Sequence, residues 1–465
     1  MKKSLLTLTY VVAFAAITSS LAVGAQAQTV TFLAQFNGKN GNGPFGSVVQ
    51  ATDGNFYGTT AGGGAHDEGE VYRITPSGKV STIYSFCSQP NCTDGALPSS
   101  APILGNDGNL YGAVAFGGSN AAQNTPSGSG AIYKMTLGGE ITTLYTFCSS
   151  GSPCVDGQTP NRITQSSDGT LYGTTSAGGE FNDGTLFRIT PGGQFKLLHT
   201  FCSLADCADG QNPGFPPIQA SDGNFYGTAS GGGTLAGGVF YELTSDGTYN
   251  VLHNFCASGS ESCAGGSNPT TIVQDGKGNF YGTTVFGGMN NNGTVFEITS
   301  TNKHRVLHRF NRVDGNGPLF GVTLANDGNL YGVLLDGGSG ISGTAFEVTP
   351  TGRYTTLHSF GSGQGAVPIG RLVQGTDGGL YGTTEFGPSS LDGTVFRLSN
   401  GLSPLVETVP ARGKPGNRIL ILGNHLTGTT SVTFNGVPAQ FKVQKESFIT
   451  AWVPAGATTG TVSPR

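Results

Sequence analysis

Charge is scarce in this sequence. Only 11% of its 465 residues are Asp, Glu, Lys or Arg, and the formal net charge is −5. So few cations give no electrostatic basis for binding nucleic acid or an anionic membrane, either of which needs a concentrated basic surface. Also missing is a Gly-X-Y period, which sets the 78 glycines apart from collagen. Beyond the first 23 residues no stretch approaches the roughly 18 apolar residues of a spanning helix. No GxSxG nucleophile elbow occurs. Glycine runs such as Gly62-Gly63-Gly64 lack the strand-to-helix context and lysine of a phosphate loop.

What is present begins with a targeting pattern. Lys2 and Lys3 precede a largely apolar Leu5 to Val23, and Ala25-Gln26-Ala27 makes a small-residue cleavage site. Residues 1–27 read as a signal peptide, a retained membrane anchor being the alternative. The expectation is a soluble exported chain, secreted or held at the cell surface, with no membrane insertion after cleavage.

The cysteines agree. Eight of them fall into four close pairs: Cys87 with Cys92, Cys148 with Cys154, Cys202 with Cys207, and Cys256 with Cys263. In an oxidising compartment each pair reads as a local disulfide, worth about 2 kcal/mol for so small a loop. Metal ligation is the competing reading, but the knuckle spacing and histidines of a zinc site are missing.

One phrase recurs: DGNFYGTT at Asp53, DGNLYGAV at Asp107, DGTLYGTT at Asp168, DGNFYGTA at Asp222, KGNFYGTT at Lys277, DGNLYGVL at Asp327 and DGGLYGTT at Asp377. A period near 50 residues signals a propeller or solenoid. Each unit reads as four strands, A to D. In the first these are Ser47 to Gln50, Asn55 to Thr60, Glu70 to Thr75 and Val80 to Phe86, joined by Asp-Gly and Ser-Gly turns. The seventh unit ends after its third strand, GTVFRLS at Gly393 to Ser399. Thr31 to Gly38, TFLAQFNG, looks like the missing fourth. The expected fold is therefore all-β: a seven-bladed propeller of four-stranded blades over 28–402, closed by its N-terminal strand, which removes two free sheet edges.

These DGxLYGTT…GTVFxIT…LHSF units resemble the Gloeo/Verruco tandem repeat of exported bacterial proteins, over about residues 29–402. The resemblance implies a propeller-like extracellular architecture, sometimes beside varied C-terminal anchors, and no particular activity. After residue 402 the composition shifts. PGNRILILGNHL, SVTFNGVPA and VPAGATTG resemble the IPT/TIG immunoglobulin-like domain. About 60 residues are present where such a sandwich takes about 100, so 403–465 reads as an incomplete Ig-like β-sandwich.

Strand parity puts the tight A–B and C–D turns on one face and the long B–C and D–A loops on the other. Any ligand is expected at the loop face and the channel mouth, although these segments also read as plain connectors. Phe116, Phe181, Phe286 and Phe386 in the B–C region are placed to stack on sugar rings or to fold inward. On the channel-lining A strands stand Gln50, Arg162, Gln165, Gln219, Gln274 and Arg371. No facing pair of carboxylates recurs there, as a glycosidase would need. Asp53, Asp94 and Asp156 sit beside turn glycines and serve the backbone. His199, His253, His308 and His358 share one strand-D position, which points to packing. No cofactor is implied, a calcium loop at Asp314 being the one weak candidate. The pattern suggests an extracellular partner, glycan or protein. A polysaccharide-acting hydrolase or lyase, with Arg162 and Arg371 as its only candidates, and an inert surface spacer are the alternatives.

Overall fold

The computed structural model describes residues 28–118, 128–256, 263–361, 365–388, 392–458, 460 and 462–465; the signal segment expected over 1–27 lies outside them. Among the described residues every extended element is a β-strand, and the only helical elements are four three-residue 3-10 turns.

Residues 29–399 form seven antiparallel sheets. In the first, strands Val49–Gln50, Phe56–Gly62, Glu70–Ile74 and Val80–Ser85 follow one another across the sheet, with Asn42–Pro44 pairing further along the second strand. Sheets two to six repeat this order. The seventh is assembled from both ends of the region. Ala366–Gln374, Leu380–Phe386 and Thr394–Ser399 are followed by Thr29–Gln35, with Thr31 opposite Arg397 and Phe32 opposite Phe396.

The repeated Tyr-Gly explains how each sheet packs. In the second strand the glycine lies directly opposite an aromatic residue of the third, as in Gly58 with Tyr72 and Gly282 with Phe296. A Cβ on Gly58 would stand 2.3 Å from the Tyr72 hydroxyl, and one on Gly282 would stand 2.7 Å from Phe296 Cζ. The glycine is thus a slot for the ring. The rings Tyr72, Tyr133, Phe187, Tyr241, Phe296, Phe346 and Phe396 are all fully buried. The aspartate of the same motif ties the A–B turn: Asp53 Oδ1 accepts from the Asn55 amide at 3.1 Å and Oδ2 from the Tyr57 hydroxyl at 2.9 Å. In the fifth unit, where Lys277 replaces it, Asp275 accepts from Tyr281 instead, at 3.1 Å.

Adjacent sheets are joined by a recurring staple. The last residue of strand A, when glutamine, accepts from a turn amide of the preceding sheet. Gln165 takes Asn106 N–H at 2.8 Å, Gln219 takes Ser167 at 3.0 Å, Gln274 takes Ser221 at 2.9 Å and Gln374 takes Asn326 at 2.9 Å. Gln50 makes the same bond to Thr376 of the seventh sheet, at 2.9 Å. A second link runs from strand-B threonines to the next sheet's backbone, as Thr228 to Thr270 and Thr283 to Pro318; Thr383 repeats it to Gly46 of the first sheet, at 2.7 Å. The first and seventh sheets also share one buried cluster containing Phe36, Phe56, Tyr381 and Val395. Gln50 and Gln165 border the central cavity, as expected of strand A, while their amide oxygens are engaged by the neighbouring sheet.

Residues 407–464 form two further sheets, one of four strands and one of three. Ile419, Ile421, Val432, Phe434 and Ile449 share the apolar cluster between them. This unit rests on the A–B turn side of the seven sheets. Ser447 Oγ donates to Thr52 O at 2.6 Å, Arg412 donates to Gln219 O at 3.0 Å, and Leu422 joins a buried cluster with Ala51 and Tyr57.

Candidate functional site

Three residues before the staple position, each sheet contributes one residue to the centre of the assembly. Around the seven sheets these are Ser47, Ala101, Arg162, Pro216, Thr271, Gly321 and Arg371. Five are small, and all but Gly321 border one central cavity of about 420 Å³. The two that are not small are both arginines. The sequence separates them by three sheets one way and four the other; the structure brings both to the same cavity.

Strand irregularity aims them there. Register shifts fall between Pro160 and Ile163 in the third sheet and between Ile369 and Val373 in the seventh, so each arginine sits on a bulge. A bulge turns a side chain away from simple alternation. The Arg162 guanidinium carbon lies 5.3 Å from the Phe215 ring centre and 5.7 Å from that of Phe320. These rings belong to the D–A loops of the fourth and sixth sheets, within cation–π range. An Arg162 nitrogen also lies 3.7 Å from where a Cβ on Gly46 would stand. The guanidinium thus reaches across the centre.

Among the described residues no carboxylate lies within 4.0 Å of Arg162 or Arg371. Arg305 and Arg397, by contrast, are paired with Glu297 at 2.6 Å and Asp377 at 2.8 Å. Burial and the charge of Arg371 push Arg162 down to about 10, which leaves it cationic at neutral pH. Burial lowers Arg371 as well, and Glu407 opposes that shift.

Glu407 belongs to Glu407–Val409, the first strand after the repeats, and residues 407–411 border the cavity from the turn side. Glu407 keeps an exposed surface and is among the residues that border the cavity. Desolvation raises its carboxyl to about 7 while Arg371 draws it down. Sequence reasoning missed Glu407, Phe215 and Phe320. A signal for the rings existed in the related loops NGPFG, NPGFPP and NGPLFG of units one, four and six.

The opposite, loop-bearing face is apolar at many points. Phe116, Phe181 and Phe286 are 39%, 44% and 40% exposed, while Phe386 is half-buried. Phe45, Val155, Leu204 and Val313 in D–A loops and Leu235 and Ile341 in B–C loops are exposed too. Among the described residues, nine of the eleven exposed large apolar side chains therefore stand on this face; the other two are Leu197 and Trp452.

The four cysteine pairs form disulfides as spaced, Cys87–Cys92, Cys148–Cys154, Cys202–Cys207 and Cys256–Cys263, all in D–A loops. The histidines join neighbouring sheets. His199 stacks on Tyr249 at 3.9 Å and bonds Asp209 at 3.0 Å, His308 stacks on Tyr354 at 4.3 Å, and His253 stacks on His304 at 4.6 Å. Burial lowers His199 and His253 and takes His304 down to about 4. The calcium candidate Asp314 is engaged by His308 at 2.9 Å and Asn311 at 2.9 Å. Among the described residues the one cluster with metal-ligand spacing is Asp183 with Cys202 and Cys207, whose sulfurs are joined in a disulfide. No described helix is long and apolar enough to cross a membrane.

The fold is β-propeller-like and is shared with solved structures of low identity. A streptogramin B lyase aligns at 12% identity and a TM-score of 0.51, covering 80% of this chain and 97% of that one. Virginiamycin B lyase from Staphylococcus aureus aligns at 14% and 0.50, covering 80% and 99%. The extracellular domain of a protein assigned as a hybrid two-component system of B. thetaiotaomicron aligns at 10% and 0.52, covering 92% and 47%. No curated protein sequence matches this chain. Residues 20–219 and 212–436 match the Gloeobacter/Verrucomicrobia repeat, and on that span the chain belongs to this family.

Proposed function

We propose that this is an exported binding protein. In this reading the seven sheets are the blades of a closed propeller, 403–465 is an immunoglobulin-like module of the IPT/TIG type, and the loop face engages an extracellular glycan or protein. The observation that carries it is the one-sided placement of exposed large apolar side chains, nine of eleven among the described residues being on the loop face. Clustered exposed apolar groups on a folded domain mark interaction surfaces. The turn face is the one on which the C-terminal unit rests, through Arg412, Leu422 and Ser447. Four disulfides pin the D–A loops, which fits both export and a rigid recognition surface, since pre-ordered loops lose less entropy on binding.

The test is a glycan array and an extracellular-protein pull-down with the wild-type chain and with Phe116→Ser, Phe181→Ser and Phe286→Ser combined. A ligand captured at micromolar level and lost in the variant supports the reading. Capture of nothing favours an inert spacer. Turnover of a polysaccharide by the wild-type chain replaces the reading with an enzymatic one.

A further inference from the structure

The central cavity asks for a charge that the chain itself does not supply at bonding distance. Two guanidiniums from opposed parts of the ring border it, and no carboxylate reaches either within 4.0 Å among the described residues. Holding two like charges in one enclosed space is costly unless a counter-charge joins them. Sequence alternatives are at hand, because the five equivalent positions carry Ser47, Ala101, Pro216, Thr271 and Gly321. The equivalent position therefore does not require an arginine in every sheet. Arg162 is moreover held between Phe215 and Phe320, which orients its planar fork of donors rather than leaving it to swing.

We propose that the cavity is a binding site for the oxyanion group of a small ligand, held between Arg162 and Arg371 and entered from the loop face. Carboxylate, sulfate and phosphate share the planar or fork-matching oxygens that a guanidinium grips in two parallel hydrogen bonds. A cavity of about 420 Å³ lies within the range of small-molecule sites. Entry is from the loop face because Glu407 to Ala411 border the turn side. Glu407 is then the resident negative charge of the chamber, too far from Arg371 to pair with it, and it opposes an incoming anion. This site does not depend on the apolar loop surface proposed above; either can exist without the other.

Calorimetric titration of the whole chain tests it, with galacturonate, galactose 6-sulfate and glucose 6-phosphate as probes and galactose and glucose as neutral controls. At least one acidic sugar is expected to bind saturably, about tenfold or more tighter than its neutral control, and the three arms identify which oxyanion fits. Arg162→Met and Arg371→Met should each weaken that binding by about tenfold or more, and Glu407→Gln should tighten it. Each arginine variant should melt near the wild-type temperature, since the like charge it removes from the shared cavity offsets lost packing such as that of Arg162 on its rings; arginines that serve only the fold would lower it clearly. If neither arginine variant folds, Glu407→Gln decides, and an unchanged affinity there overturns the proposal. Equal binding of acidic and neutral sugars, or binding that survives both arginine replacements, also overturns it. An array-negative chain that binds an acidic sugar would discard the loop-face reading and leave this one standing.

Discussion

Replacing Gln50 by leucine asks whether the seventh and first sheets meet as every other stapled pair does. Gln50 is 7% exposed; its Oε1 accepts from Thr376 N–H at 2.9 Å and its Nε2 donates to Gly54 O at 3.3 Å. Leucine is sterically acceptable, because Leu104 and Leu324 occupy the same position in the second and sixth sheets. The loss is therefore polar. Thr376 is 1% exposed, so its amide would lose an acceptor that water cannot readily replace. A buried donor left in that state costs about 1–3 kcal/mol. Gln165→Leu is the internal control, since it breaks the equivalent 2.8 Å bond to Asn106 between two sheets that are also consecutive in sequence. Urea unfolding followed by far-ultraviolet circular dichroism should show both variants destabilised, Gln50→Leu the more, because Asn106 and Gln165 are only part-buried. A Gln50→Leu midpoint equal to wild type, beside a lowered Gln165→Leu midpoint, would refute the idea that the closing junction bears the same load as the others.

Three further outcomes follow from the packing. Tyr133 and Tyr241 bury hydroxyls that have no partner among the described residues, where four other sheets carry phenylalanine; Tyr133→Phe should stabilise by about 1 kcal/mol in the same unfolding assay. Gly282→Ala drives a Cβ to 2.7 Å from Phe296 Cζ and should cost about 1–3 kcal/mol. Glu70 is fully buried with Oε1 unpaired among the described residues, and burial raises its carboxyl from 4.5 to about 7. Between those values the folded form keeps a proton that the unfolded form has lost, so stability should fall as pH rises through that window. Glu70→Gln should flatten the fall, and unfolding midpoints at pH 5 and pH 8 that shift together in wild type and variant would contradict it.

Much of this was legible in the repeat. Asp-Gly turns and the Tyr-Gly phrase act locally, so strands B to D lie close to where their residues place them. The observed Phe56–Gly62, Glu70–Ile74 and Val80–Ser85 differ from the expected bounds by one or two residues. The cysteine pairs were equally local. Strand A reads as channel-lining, and Gln50 and Gln165 do border the cavity; what the sequence did not announce is that each glutamine oxygen is claimed by a backbone amide of the neighbouring sheet. The arginine pair was out of reach for a different reason. Arg162 and Arg371 were visible as isolated candidates, but their convergence depends on two bulges and on the closure of the ring. Glu407 lay in the stretch assigned to the Ig-like unit, and nothing in its immediate sequence announces that it borders a cavity made by residues 47 to 373.

Hydrogen exchange of the whole chain, with and without the glycan or protein selected by the array or pull-down, addresses the binding role head-on. Slowed exchange should be confined to the D–A and B–C loops, including the segments around Leu204 and Leu235, with the A–B turns and residues 403–465 unchanged. Protection centred on the A–B turns or on the C-terminal sheets, with the loop amides exchanging as before, would place recognition on the other side and contradict the account.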